Sequence, residues 1–338
     1  MSNSKTNTKN LSCLTWLRAT SALMILACHY VAQNPNAYIR VLAQFFNIGV
    51  QLFFILSGFL AGYRGVTKPY GLWYGKRMQR IYIPFWIFLS VLAIVHITKG
   101  MNVLTADWLL MVFGLQGSLV GVWGAEQTWF LSVLLLCYLI TPILSEIAAR
   151  FSNRAYRAMV RGCLAAVCLM PIGYALFEQA WVYTIFTPVS FYIAAFFAGY
   201  HYDPQKPVSA RMHWISVCVI FVAFALRLLV RAVCDGTILY DRIVVPYTQF
   251  VAAGAIFCLF DKLFADRAAP RPIQFISDIS FEIYLYHYMF VVGPISIFGK
   301  TFGWLTDCAV TTLVVVVIAF CASKLNNVIM RLIPARQK

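Results

Sequence analysis

The chain has 338 residues, of which 61% are hydrophobic and only 12% charged. Soluble domains are about 45–50% apolar and about 25% charged, so this composition excludes a soluble globular protein and predicts an all-α polytopic membrane protein. The net charge of +15 does not call for nucleic acid, because the basic residues sit in short loops between apolar runs, as the positive-inside rule requires.

Residues 1–10 form a short polar tail with Lys5 and Lys9. No small-x-small cleavage site follows the long apolar run behind it, so a retained signal anchor is expected rather than a cleaved signal peptide. That first run, 13–32, contains LRATSALMILACH at residues 17–29. Arg18 and His29 lie on one predicted helix, separated by roughly 16 Å along its axis. Ionisable groups at membrane depth are costly and usually line a cavity or a substrate path. The plainer alternatives are an arginine that snorkels to the interface and an imidazole satisfied between helices. Adjacent Cys28 and His29 point about 100° apart and cannot form a nucleophile pair by themselves.

The second run, 44–63, carries GVQLFFILSGFL, in which Gly49, Ser57 and Gly58 allow neighbouring backbones to approach closely. A basic loop with Arg64, Lys68 and Lys76 follows and ends in KRMQRIYIPFW. Arg77 and Arg80, three apart, share one face at the cytoplasmic start of the run at 80–98. A generic basic loop explains their sign, but paired arginines are also the usual device for holding phosphate. Pro84 is expected in the first turn or so, where a missing amide is tolerated.

The run at 104–123 is ambiguous, since it holds Asp107, Gln116 and several glycines. Spanning runs follow at 127–148, 160–178, 182–200, 214–233, 244–262, 273–297 and 305–326. If 104–123 does not span, every later basic cluster falls on the cytoplasmic side: Arg150 to Arg161, Lys206 and Arg211, Lys262 to Arg271, and Arg331 to Lys338. Asp107 and Glu126 then lie outside. The expected architecture is about ten transmembrane helices plus one re-entrant or interfacial segment. A transmembrane domain at 13–330 is flanked by cytoplasmic tails at 1–12 and 331–338.

The helix at 127–148 enters from the outside, with Trp129 suited to an interfacial belt. Arg227 and Arg231, one turn apart near the outer end of the run at 214–233, either contact an anionic glycan or, as the favoured expectation, snorkel. The run at 273–297 contains ISDISFEIYLYHYMF, whose Ser280, Tyr284 and His287 lie on one helical face. Counted from the cytoplasmic boundary, His29 and His287 fall at the same depth, roughly 20–24 Å. The ten cysteines fall mostly in apolar segments without metal-ligand spacing, so they read as small buried hydrophobes and no metal is expected.

Taken together, these segments resemble the bacterial membrane acyltransferase-3 family. The resemblance rests on the L-R-A…H helix (Leu17, Arg18, Ala19, His29), the G-V-x-L-F-F-x-L-S-G-F-L signature beginning at Gly49, and the R-x-x-R-I-x-x-P block at Arg77, Arg80, Ile81 and Pro84. It continues through the W-F-L segment from Trp129 to the S-x-x-I-Y-L-x-H helix ending at His287. It implies transfer of an acyl group, usually acetyl, from cytoplasmic acyl-CoA to the hydroxyl of an extracytoplasmic glycan, such as capsule, O-antigen or a peptidoglycan precursor. In that family the counterpart of His29 is regarded as catalytic, and those of Arg18, Arg77 and Arg80 as needed for activity. Two departures stand out. Leu134 occupies a position where many polysaccharide O-acetyltransferases carry glutamate, and Glu282 adds an intramembrane acid with an arginine as candidate partner.

The chemistry fits. Arg77 and Arg80 would hold the phosphates of acetyl-CoA, a donor substrate rather than a bound cofactor, while its arm of about 20 Å reaches the depth of His29. His29 acts as general base or forms an acyl-imidazole; Tyr284 and His287 orient it or donate to the oxyanion. A transporter or flippase of a polar lipid-linked substrate would also place arginines and histidines on a path, and an inactive binding subunit is a third alternative.

Overall fold

The computed structural model describes residues 12–115, 121–150, 154–176, 180–203, 209–264 and 267–333. Lys5, Lys9, Gln116, Lys206, Arg336 and Lys338 lie outside the described residues, as do most of both tails. The helices are α1 (Ser12–Ala32), α2 (Ala37–Arg40), α3 (Ala43–Phe46), α4 (Ile48–Arg64), α5 (Tyr70–Thr98), α6 (Ala106–Val112) and α7 (Trp129–Ala149). They continue with α8 (Arg154–Leu176), α9 (Ala180–Tyr200), α10 (Ala210–Cys234), α11 (Val245–Phe264), α12 (Arg271–Asp278), α13 (Ser280–Val291) and α14 (Trp304–Leu332). A 3-10 turn at Glu126–Thr128 precedes α7, and a π-helical turn at Leu239–Val244 precedes α11.

No strand occurs among the described residues. Helical stretches long and apolar enough to cross a membrane are Ser12–Ala32, Ala37–Arg64, Tyr70–Thr98, Glu126–Ala149, Ala210–Cys234, Leu239–Phe264 and Trp304–Leu332, with Ile185–Tyr200 a shorter apolar helix. The protein is an all-α polytopic membrane protein, as its composition requires.

Two local expectations are corrected, at the start of α5 and within the run at 273–297, and one, for the run at 104–123, is met. The helix expected from residue 80 begins at Tyr70, so Arg77 and Arg80 stand about two to three turns inside it rather than at its start, and Pro84 is interior. Twenty-nine residues extend about 44 Å, well beyond the hydrocarbon thickness, so the basic first turns project past it. Among the described residues of the run 104–123 the one helix is the seven-residue α6, about 10 Å long and too short to span, as expected of a re-entrant or interfacial segment. Its last carbonyls are satisfied from neighbouring helices: Trp86 Nε1 donates to Val112 O at 2.9 Å, Tyr82 Oη to Phe113 O at 2.8 Å, and Ser132 Oγ to Gly114 O at 2.7 Å. Finally, the run at 273–297 is a broken helix, interrupted at Ile279 between α12 and α13. Such breaks persist at membrane depth where the protein buries them, and ten of the twelve residues of α13 are buried.

The chain divides into two compact units. The first comprises residues 1–21, 48–66 and 139–277, the second residues 22–47, 67–138 and 278–338.

In the first unit α4 packs along α9 at backbone distance. A Cβ on Gly58 would stand 2.5 Å from the Tyr192 carbonyl oxygen, and those on Gly62 and Gly199 would collide with the backbone of Phe196 and Phe59. Contacts 58 to 192 and 62 to 196 advance together, so the two helices run parallel. Phe59 also meets Phe257 of α11 at 4.5 Å, and Phe191 of α9 stacks on Phe250 at 3.9 Å. At the far end of α11, Asp261 accepts Tyr202 Oη at 2.7 and 2.8 Å and the Cys13 thiol at 3.6 Å. Burial and the Asp261 carboxylate both push the Tyr202 hydroxyl above its ordinary value, so it remains a donor.

In the second unit α13 is central, packed against α14, α5 and the 3-10 turn. Tyr286 sits edge-on to Phe88 of α5. Trp304 Nε1 of α14 donates to Tyr30 O of α1 at 2.8 Å, and Thr312 Oγ1 donates to the Tyr30 hydroxyl at 3.2 Å.

Candidate active site

The second unit brings His29 and His287 together. Their ring centroids are 5.0 Å apart with the planes tilted by 43°. His29, half-buried on the last turns of α1, also receives the edge of Tyr288 at 5.1 Å. His287 is wholly buried. Its Nδ1 lies 2.7 Å from Tyr284 O and 3.2 Å from Ile283 O. Carbonyl oxygens only accept, so Nδ1 carries the proton, and in the neutral ring Nε2 holds the lone pair. Among the described residues no group bonds that Nε2. The pair therefore presents a buried, unused acceptor against a second imidazole.

The wall around the pair is built by α13 and the turn before α7. The Tyr284 hydroxyl donates to the Gln127 carbonyl, and Gln127 Nε2 donates to Leu285 O at 2.8 Å. In this exchange the Tyr284 proton goes to the backbone, so the residue braces the wall that orients the pair. Ser280, on the same face, is buried as well. Among the described residues Glu282 meets no arginine. Its Oε1 accepts Asn326 Nδ2 at 2.7 Å and joins α13 to α14. Leu134 is buried within α7.

The arginine pair at the start of α5 is unequal. The Arg77 guanidinium lies 5.3 Å from the Trp73 ring and 5.5 Å from the Tyr138 ring, half-buried between two aromatic surfaces. Arg80 is exposed. Arg18 belongs to the first unit, half-buried on the first turns of α1.

The snorkelling expected of Arg227 is overturned, since its side chain is 1% exposed. On α10 it shares a stripe with Ser216 and Ala223, the buried residues of that helix, and the seven-then-four spacing turns this stripe inward. Arg231, by contrast, is paired with Asp235 at 3.3 Å on the surface.

The sequence model of the acyltransferase-3 family, described as an acyltransferase domain, matches residues 11–324. The chain belongs to the acyltransferase-3 family. No curated protein and no solved structure matches it. The match includes both helices that supply the histidine pair, and it makes the protein a membrane acyltransferase acting between an acyl donor and an acceptor. For this acyltransferase, sequence reasoning missed Gln127, Tyr288, Trp73 and Tyr138. The aromatic flank of Arg77 had a signal, because Trp73 lies one turn before it. Gln127 had none, since its partners are 157 and 158 residues distant.

Proposed function

We propose that this acyltransferase moves an acyl group, acetyl in the first instance, from cytoplasmic acyl-CoA to a hydroxyl of an extracytoplasmic or lipid-linked glycan. It would sit in the bacterial inner membrane with both termini cytoplasmic, as the loop charges favour. The observation that carries the reading is the juxtaposed imidazole pair, one of whose members has its tautomer fixed by backbone carbonyls.

In this mechanism His29 is the catalytic residue. In the reacting state its ring N–H is offered to Nε2 of His287, the acceptor that is unused in the structure, which leaves the other nitrogen of His29 with its lone pair for the acceptor hydroxyl. That nitrogen takes the proton of the sugar hydroxyl as the oxygen attacks the thioester carbonyl. The C–S bond breaks, the coenzyme A thiolate leaves, and it recovers the proton from the His29 imidazolium. Arg77 holds the donor's phosphates with its plane fixed by Trp73 and Tyr138, and Arg80 adds charge at the exposed face.

Membranes carrying the protein should transfer label from [14C-acetyl]-CoA to extracytoplasmic glycan and release stoichiometric free thiol. A transporter needs no thioester, so glycan export without thiol release would refute the acyl-transfer reading.

A further inference from the structure

The segment before α7 is fastened on both sides of one exposed carboxylate. Trp123 O lies 2.9 Å from His96 Nε2, and Trp123 Nε1 donates to Val292 O at 2.9 Å. Gly124, at φ +90°, packs so closely on the chain leaving α13 that a Cβ would stand 2.6 Å from Pro294 Cδ. A Cβ on Gly293 would likewise stand 3.0 Å from Gly124 Cα. On the other side Gln127 is tied to Tyr284 and Leu285. Between these fixed points stands Glu126, exposed. A side chain carried on so constrained a backbone is held in place for what it meets.

The same contacts put that carboxylate beside the histidine pair. Glu126 Oε2 accepts the Gly124 N–H at 2.9 Å. Gly293, against which Gly124 packs, donates its N–H to Tyr288 O at 2.9 Å. Glu126 therefore stands at the last turn of α13, the turn that carries Tyr288, and its charge acts on the Tyr288 hydroxyl. The Tyr288 ring in turn meets His29 at 5.1 Å and His287 at 6.1 Å, nearly perpendicular to both. Exposure falls along this series, from exposed Glu126 through half-buried Tyr288 and His29 to buried His287. Among the described residues, Glu126 Oε1 and the Tyr288 hydroxyl make no hydrogen bond.

We infer that Glu126 and Tyr288 form the acceptor subsite, holding the sugar hydroxyls next to the one delivered to His29. A carboxylate only accepts, and hydrogen bonds to it are the strong kind, so Glu126 takes the proton end of a neighbouring hydroxyl. The Tyr288 hydroxyl can give or take, and serves the next sugar oxygen. An ionised carboxylate is costly in hydrocarbon, so this side of the pair opens to water. On the topology proposed above, that water is extracytoplasmic. An acidic sugar would set its own carboxylate against Glu126, and like-charge juxtaposition rejects a competitor. The acceptor this subsite fits is therefore a neutral pyranose with vicinal hydroxyls. The inference rests on the acyl-transfer reading and names the sugar class within it. A carboxylate that merely caps Gly124 is the competing account. Glu126→Gln separates the two, because a carboxamide oxygen keeps the cap without the charge.

The test is acetyl transfer from labelled acetyl-CoA by the full-length protein in lipid nanodiscs, with methyl α-galactoside, methyl α-rhamnoside and methyl α-galacturonoside as probe acceptors. At least one neutral glycoside should be acetylated, with kcat/KM well above that of the galacturonoside. Glu126→Gln should raise the neutral acceptor's KM about tenfold, as loss of a charged hydrogen bond does, and narrow the neutral-to-acidic ratio. Donor KM should not move. Tyr288→Phe should also raise acceptor KM at unchanged donor KM. An unaltered acceptor KM and ratio in Glu126→Gln would overturn the inference, and so would a preference for the galacturonoside. So would failure to acetylate any probe by a protein whose native membranes release thiol from acetyl-CoA. Absence of that thiol release would instead remove the acyl-transfer reading, and this subsite with it.

Discussion

The ring of His287 is held by its own helix: Nδ1 donates to the carbonyl of Tyr284 at 2.7 Å, which leaves Nε2 as the acceptor beside His29. An orienting role is therefore predicted for His287. His287→Leu should lower kcat on the order of 10–100-fold, as for other groups that orient a working imidazole, with little change in donor KM. His287→Gln supplies a carboxamide oxygen near the position of Nε2 and should recover part of the loss. Equal kcat for the Leu and Gln variants would contradict the role.

Arg77 and Arg80 should respond differently to lysine. Arg77→Lys keeps the charge but loses the guanidinium plane between Trp73 and Tyr138, a stacking worth roughly 0.5–2 kcal/mol. Donor KM should rise severalfold. Arg80→Lys, at an exposed position, should stay near wild type. Donor titrations of the two variants decide this, and identical KM values would refute the unequal pair.

Glu282 and Asn326 form a buried bond between α13 and α14. Asn326→Leu leaves the Glu282 carboxyl without its partner and should destabilise the protein by about 1–3 kcal/mol. Replacing both residues with leucine removes the orphaned group and should restore much of the loss. Denaturation midpoints in detergent measure both; a double variant no better than the single one would count against the pairing.

Gly62 faces the Phe196 backbone across the α4–α9 contact. Gly62→Ala forces the two helices apart and should cost roughly 1–3 kcal/mol by overpacking. Gly71, with open space around it, serves as the control, and Gly71→Ala should unfold at the same midpoint as wild type.

Much of this was legible in the sequence, for reasons that differ by residue. Membrane helices announce themselves by length and apolarity, so α1, α7 and α14 fall close to their expected bounds. His29 and His287 could be matched in depth because rise per residue is constant along a helix. The close approach at Gly58 followed from the small side chain alone. What failed depended on tertiary partners. Hydropathy averaged over a spanning window does not mark the break at Ile279, because the apolar stretch that follows outweighs Ser277, Asp278 and Ser280 around it. It misplaced the start of α5, whose first turns are polar yet helical. The burial of Arg227 reflects which face of α10 meets the bundle, and the brace between Tyr284 and Gln127 joins segments far apart in the chain. Neither is encoded locally.

The central claim is that His29 moves the acceptor's proton. The direct measurement is single-turnover acetyl transfer by His29→Ala and His29→Gln in nanodiscs, with wild-type insertion and unfolding midpoint verified first. General-base catalysis contributes about 10²–10⁴-fold, so both variants should fall by at least a hundredfold, and Gln should fail with Ala because an amide does not take up the proton. Turnover within a few-fold of wild type in either variant would contradict the claim.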